Sequence, residues 1–181
     1  GAFLIDSVWV ARHCRSWLDE WEANLAIAQA TKRLLEAEGI VVDLLPATIP
    51  PEYWADAFVA IHADGNQDPS VSGYKIAAPY RDRSGKAAIL ATLMDETYKT
   101  ATDLPFDPNI TRNMRGYYAF NWRKYKHSIH PMTPAVIVET GFLTNSKDRA
   151  LIARRPETAA QGIAEAVIRF LKQTEPSEKS A

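Results

Sequence analysis

The stretch PAVIVETGF, Pro134 to Phe142, decides how this chain is read. Ala135, Val136, Ile137 and Val138 are apolar in succession, so both faces of a strand here are buried. That pattern belongs to the interior of a parallel sheet. The apolar run stops at Glu139, before Thr140 and Gly141. A carboxylate that closes a buried strand is costly unless it is paired or functional. Desolvation raises its proton affinity and a nearby metal lowers it again, which is the balance a general base requires. A structural salt bridge is the plainer alternative for Glu139.

Working outward, AFVAIH (Ala57 to His62) is a second apolar run, and the polar loop Ala63 to Ser72 follows it. IVVDLL (Ile40 to Leu45) and Gly73 to Ala78 are further strand candidates. Helices are expected over Asp19 to Glu38, with Gly39 as the stop, over Lys86 to Thr102, and over Glu157 to Lys172. In the last of these, Ala159, Ile163, Ala166, Val167 and Phe170 form one stripe. Asn145 or Ser146 can cap a short helix near Asp148 to Ala153. Asp103 to Met114 reads as a loop, and the alternation of Tyr118, Phe120 and Trp122 reads as an edge strand. Helices alternating with short buried strands predict an α/β fold. It would be one domain over 1–173, with a mainly parallel or mixed twisted sheet, helices on both faces, and a polar tail from 174 to 181.

Bulk properties exclude several classes. The 181 residues suit a single domain, and 46% hydrophobic with 24% charged residues fits a soluble globular protein. A formal net charge of −1 argues against a generally basic nucleic-acid binder. No apolar run reaches the roughly 18–20 residues of a membrane span, and no charged-then-apolar leader stands at Gly1. Cys14 is the single cysteine, which excludes an internal disulfide and any zinc site built on several cysteines.

Two more residues could carry chemistry. On the helix that opens near Asp19, the side chains of Glu20, Asn24, Ile27, Thr31 and Leu34 share one face, while Glu22 falls on the polar far side with Ala26, Gln29, Arg33 and Glu36. A carboxylate heading a buried stripe needs a cation, a metal or the helix N-terminus as partner. The plainer reading of Glu20 is a favourable interaction with the helix dipole. His62 ends its strand before Ala63, Asp64 and Gly65. Neutral imidazole is a common metal ligand, and Asp64 is near enough in sequence to take the second ring proton. A strand-end histidine bonded to a loop is the alternative. His62 and Glu139 both stand at strand C-termini, where open α/β sheets bind ligands.

These motifs resemble the zinc-dependent N-acetylmuramoyl-L-alanine amidases of the amidase 3 family. EWEANLAIA (Glu20 to Ala28) resembles the family's glutamate motif, VAIHADGN (Val59 to Asn66) its second-histidine motif, and PAVIVETGFLTN (Pro134 to Asn145) the segment with the catalytic glutamate. The resemblance covers most of Glu20 to Leu171. It implies Zn2+ held by Glu20 and His62, Glu139 as the catalytic base, and peptidoglycan as the substrate. It also implies a place in the cell envelope, periplasmic or extracellular. A monomer is expected, with no nucleic-acid partner.

One departure stands out. The family's first strand ends in a Gly-His pair whose histidine is the first zinc ligand, and Gly1 to Asp19 contain no good match. The expectation is that this strand and its histidine lie upstream of Gly1. His13 is the weaker alternative and reads more simply as a loop histidine, as do His127 and His130. Arg112 to Lys126 mixes basic and aromatic residues, which could bind single-stranded nucleic acid or the sugars and carboxylates of a cell wall. Rival functions are another zinc peptidase, such as a carboxypeptidase, and a non-catalytic wall-binding module.

Overall fold

The strand expected from PAVIVE forms as β5, Ala135–Phe142, in a computed structural model. The structure describes residues 2–6, 15–45 and 48–174, and for 2–6 and 15–19 it describes the backbone alone. Elements in chain order are β1 (Ala2–Asp6), α1 (Arg15–Ala37), β2 (Val41–Leu45), β3 (Ala57–Asp64), β4 (Lys75–Ala77), α2 (Ala87–Thr102), α3 (Arg112–Arg115), a 3-10 turn (Tyr118–Phe120), β5, α4 (Ser146–Ile152) and α5 (Pro156–Thr174). The sheet order is β2-β1-β3-β5-β4. β1, β2, β3 and β5 run parallel, and the short edge strand β4 pairs antiparallel with β5.

The sheet separates two cores. Ala57, Val59 and Ile61 of β3 and Val136 and Val138 of β5 face one core, which takes in α1, α2 and α5. Phe58 and Ala60 of β3 and Ala135 and Ile137 of β5 face the other. There the cover is slight: Met114 of α3, Ala119 and Phe120 of the 3-10 turn, and loop residues such as Ile49 and Ile129. Helical structure therefore lies on both faces, but the long helices are all on one. Their stripe is the one the sequence predicts: Ile163, Val167 and Phe170 are fully buried. Each such side chain contributes about 1.5–3 kcal/mol by leaving water. α2 and α5 meet at Gly162, where a Cβ would stand 2.8 Å from the Tyr98 Cα. Only glycine admits that approach.

Three expectations need correction. Ala2–Asp6 forms a strand between β2 and β3, the place assigned to residues upstream of Gly1. AFLID is a short run without the expected Gly-His pair, and its ladder partners on both sides make it a strand. Tyr118–Phe120 is a 3-10 turn and not an edge strand. Phe120 N–H donates to the Tyr117 carbonyl at 3.0 Å and Asn121 N–H to the Tyr118 carbonyl at 3.0 Å, and the buried residues of this tight turn, Ala119 and Phe120, are consecutive and do not alternate. The end of the expected loop is helical as well, because the Thr111 hydroxyl accepts from the Met114 N–H and caps α3. His13 and Cys14, and the tail from 175 to 181, lie outside the described residues.

Candidate active site

The strands place the first two site residues. His62 and Glu139 are register partners in β3 and β5, and Lys75 of β4 is the partner of Glu139 on the other side. Register partners point to the same face, so the three side chains form a row across the sheet. Just beyond His62 the β3–β5 register shifts, and Asp64 comes opposite Phe142. The Thr140 hydroxyl donates to the His62 carbonyl at 2.8 Å at this irregularity.

The third residue comes from α1. Glu20 Oε1 lies 3.9 Å from His62 Nδ1, and both side chains are largely buried. The face assigned from sequence holds for most of the helix. Asn24, Ile27 and Thr31 are buried, and Glu22, Gln29, Arg33 and Glu36 are exposed. Leu34 departs from it and is exposed, with Leu35 buried instead. A straight helix drifts by about 20° per heptad against a fixed stripe.

Burial sets the electrostatics. Desolvation raises the Glu139 carboxyl from its ordinary 4.5 to about 7. His62 opposes the rise, Asp64 and Glu20 add to it, and Lys75 opposes it. That shift corresponds to roughly 3 kcal/mol of disfavoured charge. Lys75 is itself buried. Its ammonium donates to Asp64 and stands 3.4 Å from Asp107. Burial works against the Lys75 charge, but the hydrogen bond to Asp64 and the pull of both carboxylates hold it above the ordinary lysine range. Asp64 is thus engaged by Lys75, and the carboxylate beside the His62 ring is that of Glu20.

Two supports complete the site. The Tyr117 ring packs edge-on against the His62 ring at 5.1 Å. Asp148 is fully buried and accepts from the Ser72 hydroxyl at 2.6 Å, the Gly73 N–H at 2.9 Å and the Phe142 N–H at 3.0 Å. It ties the loop entering β4 to the end of β5. Gly73 allows this with a φ of 126°, where a Cβ would also meet the Pro105 carbonyl oxygen at 2.4 Å.

The chain matches the Amidase_3 family, described as N-acetylmuramoyl-L-alanine amidase, over residues 11–169. The chain belongs to this family. The match contains Glu20, His62 and Glu139, and β1 precedes it. Among curated relatives, N-acetylmuramoyl-L-alanine amidase AmiA of Escherichia coli is 26% identical, over 86% of this chain and 70% of its own length. Solved structures share the fold. An N-acetylmuramoyl-L-alanine amidase from Clostridium difficile 630 has a TM-score of 0.72 at 19% identity, covering 96% of this chain and 97% of its own. The catalytic domain of CwlV, from Bacillus (Paenibacillus) polymyxa var. colistinus, has a TM-score of 0.66 at 20% identity, covering 94% and 98%.

The structure thus brings Glu20, His62 and Glu139 of this family member to one place. His127 and His130 stand apart: the His127 Nδ1 pairs with the Ile49 carbonyl, and the His130 ring packs against Trp54. Lys75, Tyr117 and Asp148 were missed from sequence. Lys75 left a signal, a charge inside the apolar run YKIAA. Cavities of about 450 and 530 Å3 lie elsewhere, and Glu20, His62 and Glu139 line neither.

Proposed function

We propose that this chain hydrolyses the amide bond joining the lactyl group of N-acetylmuramic acid to L-alanine in bacterial peptidoglycan, with zinc as cofactor. Glu139 acts as general base and then acid, and Glu20 and His62 are metal ligands. The observation that carries the reading is Glu139. Its carboxyl is held near neutrality, at about 7, one strand across from His62.

The donors suit zinc. Imidazole nitrogen and carboxylate oxygen are common zinc ligands, and two such ligands on a tetrahedral ion stand about 3.4 Å apart. The His62 Nδ1 and Glu20 Oε1 separation of 3.9 Å is close to that span. Among the described residues no group of three His, Cys, Asp or Glu side chains could hold a metal. The third ligand of this reading is a histidine outside them. When bound, zinc supplies Lewis acidity for the amide carbonyl and the attacking water.

The chain's own residues do the rest. Glu139 takes a proton from the attacking water and later delivers it to the departing L-alanine amine. A group with a pKa near the working pH serves both steps. Lys75, fixed between Asp64 and Asp107, adds a positive charge that opposes the rise in the Glu139 pKa. Among the described residues no helix is long and apolar enough to cross a membrane. The reading places the enzyme in the cell envelope, acting as a monomer.

The test is mass spectrometry of purified wall digested with and without added zinc. Free stem peptides beginning with L-alanine, released only with zinc, are the expected product. Release of single C-terminal residues would mean a carboxypeptidase, and binding without release a wall-binding module.

A further inference from the structure

The chain's charge is unevenly distributed. No Asp or Glu lies between Asp107 and Glu139, yet Arg112, Arg115, Arg123, Lys124 and Lys126 all do. On a chain of net charge −1, these cations fall on the lightly covered face of the sheet. Arg81 and Arg83, just after β4, join them. Asp82, the acid between those two, is already engaged: it accepts from the Ser84 N–H and hydroxyl and from the Ala87 N–H that opens α2.

The aromatics of this face serve as supports. The Arg115 guanidinium lies 4.5 Å over the Tyr80 ring, and Arg83 and Arg123 lie 5.1 and 5.2 Å over Trp122. Cation–π contact restrains each guanidinium, and although the Arg115 Nε–H donates to the Ala78 carbonyl at 3.4 Å, its terminal N–H groups face away from that bond and suit a ligand. A small cavity of about 70 Å3 opens among Tyr80, Arg81, Arg115, Trp122 and Arg123. The face reaches the candidate active site through the segment that carries Arg115, Gly116 and Tyr117, whose ring meets His62.

We propose that this arginine face is a subsite for the free carboxylates of the wall's stem peptides, away from the bond that is cut. The proposal rests on the amidase reading, because it takes the wall as ligand. A guanidinium fork restrained by a ring matches a carboxylate in two parallel hydrogen bonds. A single-stranded nucleic acid would need open ring faces on which its bases could stack. Here the chain's own cations lie over the Tyr80 and Trp122 rings, which favours the carboxylate ligand.

The test is co-sedimentation of the full chain with purified insoluble wall, a measurement that needs neither metal nor turnover. Three walls are compared: intact, stripped of phosphate polymers, and with the peptide carboxylates chemically amidated. Intact and stripped walls should bind alike, and amidated wall should bind roughly tenfold more weakly, since one lost charge-assisted pair is worth about that factor. Arg83→Gln with Arg123→Gln should weaken binding to intact wall to a similar degree at unchanged thermal stability, and Arg83→Lys with Arg123→Lys should restore only part of it. Equal binding to intact and amidated wall would overturn the proposal, as would binding lost with the phosphate polymers or binding to an oligonucleotide alone. Loss of binding only in variants that unfold would overturn it too. Failure of the amidase reading would appear separately, as carboxylate-dependent binding with no L-alanine-ended product when zinc is supplied.

Discussion

His62 and Glu139 face the same side of the sheet as register partners in adjacent parallel strands. The proposed proton acceptor and the proposed metal ligand are thereby spaced by the sheet itself, whose neighbouring strands lie about 4.8 Å apart. Rotamer freedom in a loop plays little part in setting that distance.

Glu139→Gln should preserve the fold and lower amidase activity by about 10²–10⁴-fold, the usual contribution of a general acid–base group. Glutamine keeps the shape and removes the proton acceptor. Thermal unfolding and L-alanine-ended product are measured on one preparation. A stable variant with near-normal turnover would take Glu139 out of the mechanism.

Glu20→Ala should weaken zinc binding, and Glu22→Ala should leave it unchanged. Glu20 is largely buried beside His62, while Glu22 is exposed. Zinc titration of both variants checks the pair, and equal losses would refute the assignment of the helix face.

Asp107→Asn should cost about 1.5–3 kcal/mol at neutral pH, the range for a hydrogen bond to a charged group. Burial alone would raise the Asp107 carboxyl, but the Asn109 N–H groups and Lys75 outweigh it and hold it below its ordinary 3.8. A depressed carboxylate contributes stability above its unfolded value and loses it as pH falls through the folded one. The gap between wild type and variant should therefore be full at pH 7 and close below about pH 4. Denaturant unfolding across that range measures it, and a gap that does not change with pH would show that charge is not involved.

Asp148→Asn should destabilise the fold by about 2–4 kcal/mol, because an amide group would face donors now satisfied by a buried carboxylate. Chemical denaturation gives the value. A loss under 0.5 kcal/mol would mean that the carboxylate is replaceable.

How much of this was legible in the sequence depended on local pattern. The β3 and β5 strands are unbroken apolar runs and α5 carries a helical stripe, and all three form where expected. Glu139 stood out because a charge ended an apolar run. Glu20 was found from one face of one helix. Lys75 and Tyr117 depend on which strand pairs with which and on how a loop folds over a sheet, and neither is a local property. The Tyr118 to Trp122 segment failed for the opposite reason, since three residues of alternation fit a strand and a tight turn equally well.

The packing of α5 against both α1 and α2 has a consequence for when the site comes into being. Glu20 is carried by α1, whose seat on the sheet is shared with a helix made some 140 residues later in the chain. A growing chain that has already emitted Glu20, His62 and Glu139 still lacks the wedge that holds the first of them in place. The placing of Glu20 beside His62 is thus a long-range property, shared between segments far apart in the described residues.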